Sequence, residues 1–198
     1  ASATASPYTS YIPFRGGPKA DYHDPDPRYD DAFANYPASP VKTWNKAAPG
    51  AGSNVMVLTS NYTLPPTPFD QNPTWKEVNK QLNANVQFNI VAAPDYVSKL
   101  ATIIAGGDLP DIMNLYGGYA AGNNLPDFFK AKCADLTPYL GGDAVKDYPN
   151  LANIPTYAWK NSVSAIDGKL YLIPLQRYLP GGGPINGTGY FFTNVELW

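Results

Sequence analysis

From residue 54 onward, apolar and polar positions fall into two alternating rhythms. Val55, Met56, Val57 and Leu58 form an unbroken apolar run. That run predicts a strand over 54–59 with both faces buried. A loop follows over 60–69. Asn72 and Pro73 read as the cap and first position of a helix, with Trp75, Val78 and Leu82 on one face. Residues 86–91 read as a second strand. Pro94 and Asp95 open a second helix that carries Val97, Leu100, Ala101 and Ile104 on one face and ends at Gly106. A third strand is predicted over 112–115. This β-α-β-α-β order implies three neighbouring parallel strands joined by right-handed crossovers, an α/β fold with helices flanking the sheet. Residues 123–163 read as short helices and turns, the last opened by Pro155 ahead of Trp159. Asp167-Gly168 favours a tight hairpin turn. Strands are predicted over 170–173 and 190–193.

The first 53 residues lack this rhythm. They hold Pro7, Pro13, Pro18, Pro25, Pro27, Pro37, Pro40 and Pro49, and each proline fixes φ and removes a donor. An extended, irregular arm is expected. It also carries Tyr8, Tyr11, Phe14, Tyr22, Tyr29, Phe33, Tyr36 and Trp44, more aromatics than a free tether needs. The second half of the arm is therefore expected to wrap onto the domain surface.

Composition narrows the function classes. The 198 residues carry 16 acidic and 14 basic side chains, a net charge of −2. Nucleic acid is not expected as a partner, since it calls for a basic face. No apolar run reaches membrane-spanning length. With one His and one Cys, neither an internal disulfide nor a zinc site is expected. Cys133 reads as a small buried apolar residue. Low charge with 15 tyrosines suits a secreted protein that stacks on its ligand. The first residue, Ala1, reads as the start of a mature or trimmed product.

In open parallel sheets, ligands bind beyond the carboxyl ends of the strands. That rule selects Ser60-Asn61-Tyr62, Tyr116-Gly117-Gly118-Tyr119 and Gln176-Arg177-Tyr178. Tyrosine offers a flat apolar face, and Asn, Gln and Arg offer planar donors and acceptors. A sugar presents the matching C–H face and hydroxyl rim. None of the three segments contains a carboxylate, whereas glycan hydrolysis needs a pair. Binding without catalysis is expected, with no cofactor. Asp108 and Asp111 sit beside helix and strand ends, where aspartate bonds backbone amides. Asp21, Asp24, Asp26, Asp30 and Asp31 read as a solvated acidic segment, since their spacing matches no calcium loop. Gly181-Gly182-Gly183 lacks the Lys-Ser/Thr of a phosphate loop.

Two segments carry a family resemblance. Gly107-Asp108-Leu109-Pro110-Asp111-Ile112 resembles the "sGdlPDv" segment of extracellular solute-binding proteins of sugar ABC importers, and Asp167-Gly168-Lys169-Leu170-Tyr171-Leu172-Ile173-Pro174 resembles their "dGklYgiP" segment. Phe191-Phe192-Thr193-Asn194 is similar to their "lyYNk" crossover strand. The resemblance implies a periplasmic-binding-protein-like lobe of the class II type. The resemblance does not cover the arm over 1–53; it implies an amino-terminal lobe over 54–189 and a hinge strand over 190–198 leading to a second lobe. It implies an oligosaccharide held between the lobes, an ABC permease as partner, and an extracellular or periplasmic, lipoprotein-anchored location. Ligand contacts are expected at Asn61, Tyr62, Tyr116, Gly117, Tyr119, Gln176 and Arg177. An aromatic at the cleft is expected at Trp159. The segment 177–188 is longer than in shorter family members. The alternatives are a secreted glycan-hydrolase fragment, a surface adhesion domain, or an importer component that takes a peptide in place of a sugar.

Overall fold

The computed structural model describes residues 6–14, 16–23, 25, 32–36, 38–39, 47–115, 125–161 and 164–175. The chain forms two compact units, one of residues 44–132, the other of 1–43 together with 133–198.

The first unit is built on the alternating pattern. It contains β1 (Asn54–Asn61), α1 (Pro73–Leu82), β2 (Asn85–Ala92), α2 (Ala93–Gly106), β3 (Ile112–Met113) and α3 (Leu125–Lys132). The three strands form one parallel sheet in the order β2-β1-β3. The predicted neighbours are thus neighbours, with β1 in the middle. Register puts Val57 beside Phe88 and Ile112, and Leu58 beside Asn89 and Met113. Since paired residues share a face, α1 and α2 cover opposite faces. Trp75 of α1 meets Phe88 on one face. On the other, Tyr96 and Leu100 of α2 bury Leu58, with Val91, Val97 and Met113 packed around them.

Local chemistry explains the helix ends. The Asn72 side-chain oxygen accepts from the amides of Thr74 and Trp75 at 3.1 and 3.2 Å, and Pro73 opens α1 where its missing donor costs nothing. Gly107 ends α2 at φ +75°, its amide donating to the Ile103 carbonyl at 3.0 Å. That left-handed backbone is cheap only for glycine.

Two expectations about this sheet need correction. β1 is not buried on both faces, for Leu58 is fully buried while Met56 on the same face is 39% exposed. Three strands and one helix per face are too little to cover it. β3 spans two residues rather than four. Asn114 still donates its amide to the Leu58 carbonyl at 2.9 Å, but its own carbonyl turns to accept the Tyr96 hydroxyl at 2.6 Å, and the ladder stops there. At the opposite end of β3, an Asp111 carboxylate oxygen accepts the Met56 amide at 2.8 Å. A side chain thus continues the ladder where β3 has no backbone to offer.

The second unit joins the start of the chain to its later part. It contains α4 (Thr137–Leu140), a 3-10 turn over Asp143–Asp147, α5 (Pro149–Ala152), α6 (Thr156–Asn161) and a hairpin of β4 (Ala165–Ile166) and β5 (Lys169–Leu170). Asp167 and Gly168 have φ +51° and +77°, the turn that their sequence predicts. The predicted strand over 170–173 is only the two residues of β5. It pairs antiparallel with β4 in a separate sheet, because the tight turn hands it the preceding strand as partner. The core holds Leu140, Val145, Ala152, Trp159 and Leu170, with Tyr8, Leu136 and Ile154 against it.

Both ends of the arm find partners. Near its end the Gly50 and Gly52 amides donate to the Leu82 and Asn83 carbonyls at 2.8 and 2.7 Å within the sheet unit. Its beginning is bonded within the second unit. Ser10 donates its amide to Gly142 O at 3.0 Å, Gly142 returns a bond to Tyr8 O at 3.0 Å, and Ile12 donates to Ala152 O at 2.8 Å. The Asn153 side chain takes the Phe14 amide at 2.8 Å. These bonds pair a proline-flanked extended segment that has no strand partner of its own. Further along, Tyr22 and Ala32 form a local antiparallel bridge, and Tyr36 is fully exposed. The strand predicted over 190–193 lies outside the described residues.

Two measurements test these supports. Asp111→Ala should lower stability by about 1 kcal/mol in urea unfolding, the worth of one backbone bond to a carboxylate in partial solvent, with Asp111→Asn retaining most of it. A second carboxylate ties the hairpin to α4. The Thr137 hydroxyl and amide hold the Asp135 carboxyl below its ordinary pKa, with Lys169 Nζ at 3.4 Å adding to this. A depressed carboxylate stabilises the fold above its unfolded pKa of about 4, and that contribution is lost as pH falls through the lower folded value. Asp135→Asn should therefore flatten the fall of melting temperature below about pH 4.

Candidate functional site

The order β2-β1-β3 creates one topological switch. The chain leaves β1 for β2 on one side, then returns through α2 to β3 on the other. A crevice in such sheets opens between the two strands whose connections diverge, here β1 and β3, at their carboxyl ends. Ser60 and Asn61 end β1, and Asn114 and Leu115 follow β3. The Asn114 side chain donates to Thr59 Oγ1 at 3.3 Å, so the two strand ends are tied together across the switch.

The expected contacts at this end fare differently. Asn61 does not offer its amide to a ligand. Its oxygen accepts from the Thr63 amide at 3.1 Å and the Thr63 hydroxyl at 3.0 Å, and its nitrogen donates to Thr63 O at 3.1 Å and Leu64 O at 2.8 Å. A carboxamide has two donors and two acceptor sites, and the turn takes all four. Asn-x-Thr just past a strand is the sequence sign of such a turn. Tyr62 is 70% exposed on that turn, with its ring accessible. Tyr116, Gly117, Tyr119, Gln176 and Arg177 lie outside the described residues. β5 does not belong to the parallel sheet, so the strand-end rule does not extend to Gln176 and Arg177.

Trp159 lies in the other unit and is fully buried, its indole N–H donating to Ile154 O at 3.3 Å. The Ser164 hydroxyl, itself buried, donates to the Trp159 carbonyl at 2.6 Å. A ring with no exposed face cannot stack on a ligand, so Trp159 is a core residue here. Four-residue helices bury little on their own, and the largest apolar side chain available is drawn in to fill their centre.

A different feature of the sheet unit does not follow from strand ends. Residues 65–69, Trp75 and the outer side of β2 line an open groove of about 460 Å³. Phe69, Trp75 and Phe88 form a row of rings, with centroids 6.5 and 5.2 Å apart and interplanar angles of 28° and 33°. Trp75 packs on the apolar stripe as its spacing predicts, yet stays half-buried, while Phe69 and Phe88 are 41% and 43% exposed. No lining residue is charged. The sequence does carry a signal: in β2, Val86, Phe88 and Ile90 alternate with Asn85, Gln87 and Asn89. Such alternation marks a half-covered strand.

Among the described residues, no group of three His, Cys, Asp or Glu is placed to hold a metal ion. Burial pushes the Cys133 thiol above its usual pKa, which makes it a poor nucleophile. Comparison of the chain with protein-family models, curated proteins and solved structures gives no match.

The burial of Trp159 makes a direct check. Trp159→Ala should cost about 3–5 kcal/mol and unfold its unit. Its loss should appear as lost near-ultraviolet circular dichroism rather than as a change in ligand affinity alone.

Proposed function

We propose that this chain is the ligand-binding part of an importer's solute-binding protein. It takes a neutral oligosaccharide and makes or breaks no bond. The observation that carries this reading is the parallel β2-β1-β3 sheet with its switch point between β1 and β3. The tyrosine-rich segments that follow those two strands would line the crevice there. The two sequence segments that resemble sugar-importer binding proteins support it. In one of them, Asp111 ties β3 to β1, and in the other Asp167-Gly168 makes the hairpin turn, so each motif has a structural role. A second lobe would close over the sugar by hinge motion, a membrane permease would accept the cargo, and a lipid anchor would hold the protein outside the cell membrane.

The test is calorimetric titration of neutral di- to tetrasaccharides into the protein, including its second lobe. Saturable binding is expected for at least one sugar, with no cleavage of it. Tyr62→Ala and Tyr116→Ala should each weaken that binding by about tenfold, since a stacked ring and its hydroxyl together contribute on the order of 1–2 kcal/mol. Neither should shift the melting temperature by more than about 2 °C. No binding across the panel, or hydrolysis of the sugar, would overturn the reading.

A further inference from the structure

The outer edge of β2 is chemically distinctive in a way that the crevice is not. β2 is eight residues long and pairs along its whole length with β1 on one side. The Asn85 amide donates to Ser53 O at 2.9 Å, which points it towards β1. In an extended strand the N–H and C=O of one residue point the same way, and successive residues alternate. The backbone groups of Gln87, Asn89 and Val91 therefore face β1 as well, while those of Val86, Phe88 and Ile90 face outward. One observation fixes this direction independently. The Val86 carbonyl accepts the Asn79 side-chain amide of α1 at 3.2 Å. Among the described residues, no donor or acceptor meets the outward backbone groups of Phe88 and Ile90.

Phe88 and Ile90 both line the groove, together with Pro65, Pro66, Thr67 and Pro68. Three of the last four have no amide proton, so this segment of the lining cannot complete a ladder with β2. The row of Phe69, Trp75 and Phe88 is part of the same lining. The volume of about 460 Å³ falls within the range of ligand sites, roughly 300–1,000 Å³.

We propose that this groove receives an extended, uncharged peptide segment, which adds to the sheet as a fourth strand against β2. Backbone groups at Phe88 and Ile90 recur every second residue, the repeat that another extended chain presents. Side chains on one face of the incoming strand lie on the aromatic row, so apolar or aromatic residues are selected at alternate positions. The uncharged lining gives a charged side chain no partner and makes its burial costly. A sugar would use the rings but would leave the backbone repeat unmatched. This site is separate from the crevice between β1 and β3 and does not depend on the carbohydrate reading.

The probe is acetyl-Thr-Val-Tyr-Val-Thr-amide, titrated into the whole chain. A saturable change in tryptophan fluorescence is expected, with a Kd no weaker than about 1 mM. Hydrogen exchange at the Phe88 and Ile90 amides should slow by about tenfold or more. The same peptide N-methylated at alternate nitrogens should bind about tenfold more weakly or worse. Trp75→Ala should weaken binding by a similar factor. Phe69→Ala, at a more exposed ring, gives the same reading if Trp75→Ala does not fold. Absence of saturable binding, unchanged exchange at Phe88 and Ile90, or equal affinity for the N-methylated peptide would each overturn the proposal. So would displacement of the peptide by maltotriose, which would make the groove a sugar site.

Discussion

The hydrogen-bonding needs of β1 govern the sheet unit. A central strand has donors and acceptors on both sides, and each one left dry and unpaired costs about 1–3 kcal/mol. β2 meets one side completely. On the other side β3 supplies two residues only. The shortfall is met by Asp111 at one end and Asn114 at the other. The position of Asp111 after Pro110 thus follows from what the middle strand requires. Tyr96 extends the same logic, since its buried hydroxyl takes the Asn114 carbonyl as the chain leaves the sheet.

The two units solve the burial problem in different ways. In the sheet unit a long helix, α2, covers one face with Tyr96 and Leu100 against Leu58. The opposite face has α1, on which no residue is fully buried, and so the aromatic row remains partly in solvent. In the other unit, no described element exceeds six residues. Its order comes from many backbone bonds between segments far apart in sequence and from one large indole at the centre. Low charge and high aromatic content suit that arrangement, because short helices need bulky side chains to fill the space between them.

Much of the sheet unit is legible in the sequence because its signals are local. Asn72-Pro73 caps a helix, Gly106-Gly107 ends one, and the apolar rhythms set strand against helix at each step. Asp167-Gly168 makes its turn for the same reason. What is not legible depends on pairing at a distance. Nothing in residues 170–173 says that their partner is the preceding strand rather than the parallel sheet, nor does the spacing around Trp159 say how deeply it is buried. Asn61 misleads because a side chain suited to a ligand is equally suited to its own backbone, and the backbone two residues on is always nearer. In the arm, prolines exclude a helix but leave open which extended stretches find partners.

The unit that contains Trp159 is discontinuous in sequence, with residues 6–14 bonded to 142–156 while 44–132 lie between them along the chain. The Ser10 to Asp143 hydrogen bond spans 133 positions. During synthesis at about 5–20 residues per second, the amino-terminal segment emerges many seconds before the chain that will pair with it. Residues 44–132, whose sheet and helices are all drawn from their own stretch, can fold in that interval. The nascent arm must wait, and its Tyr8, Tyr11 and Phe14 are meanwhile open to chaperones or to misplaced partners.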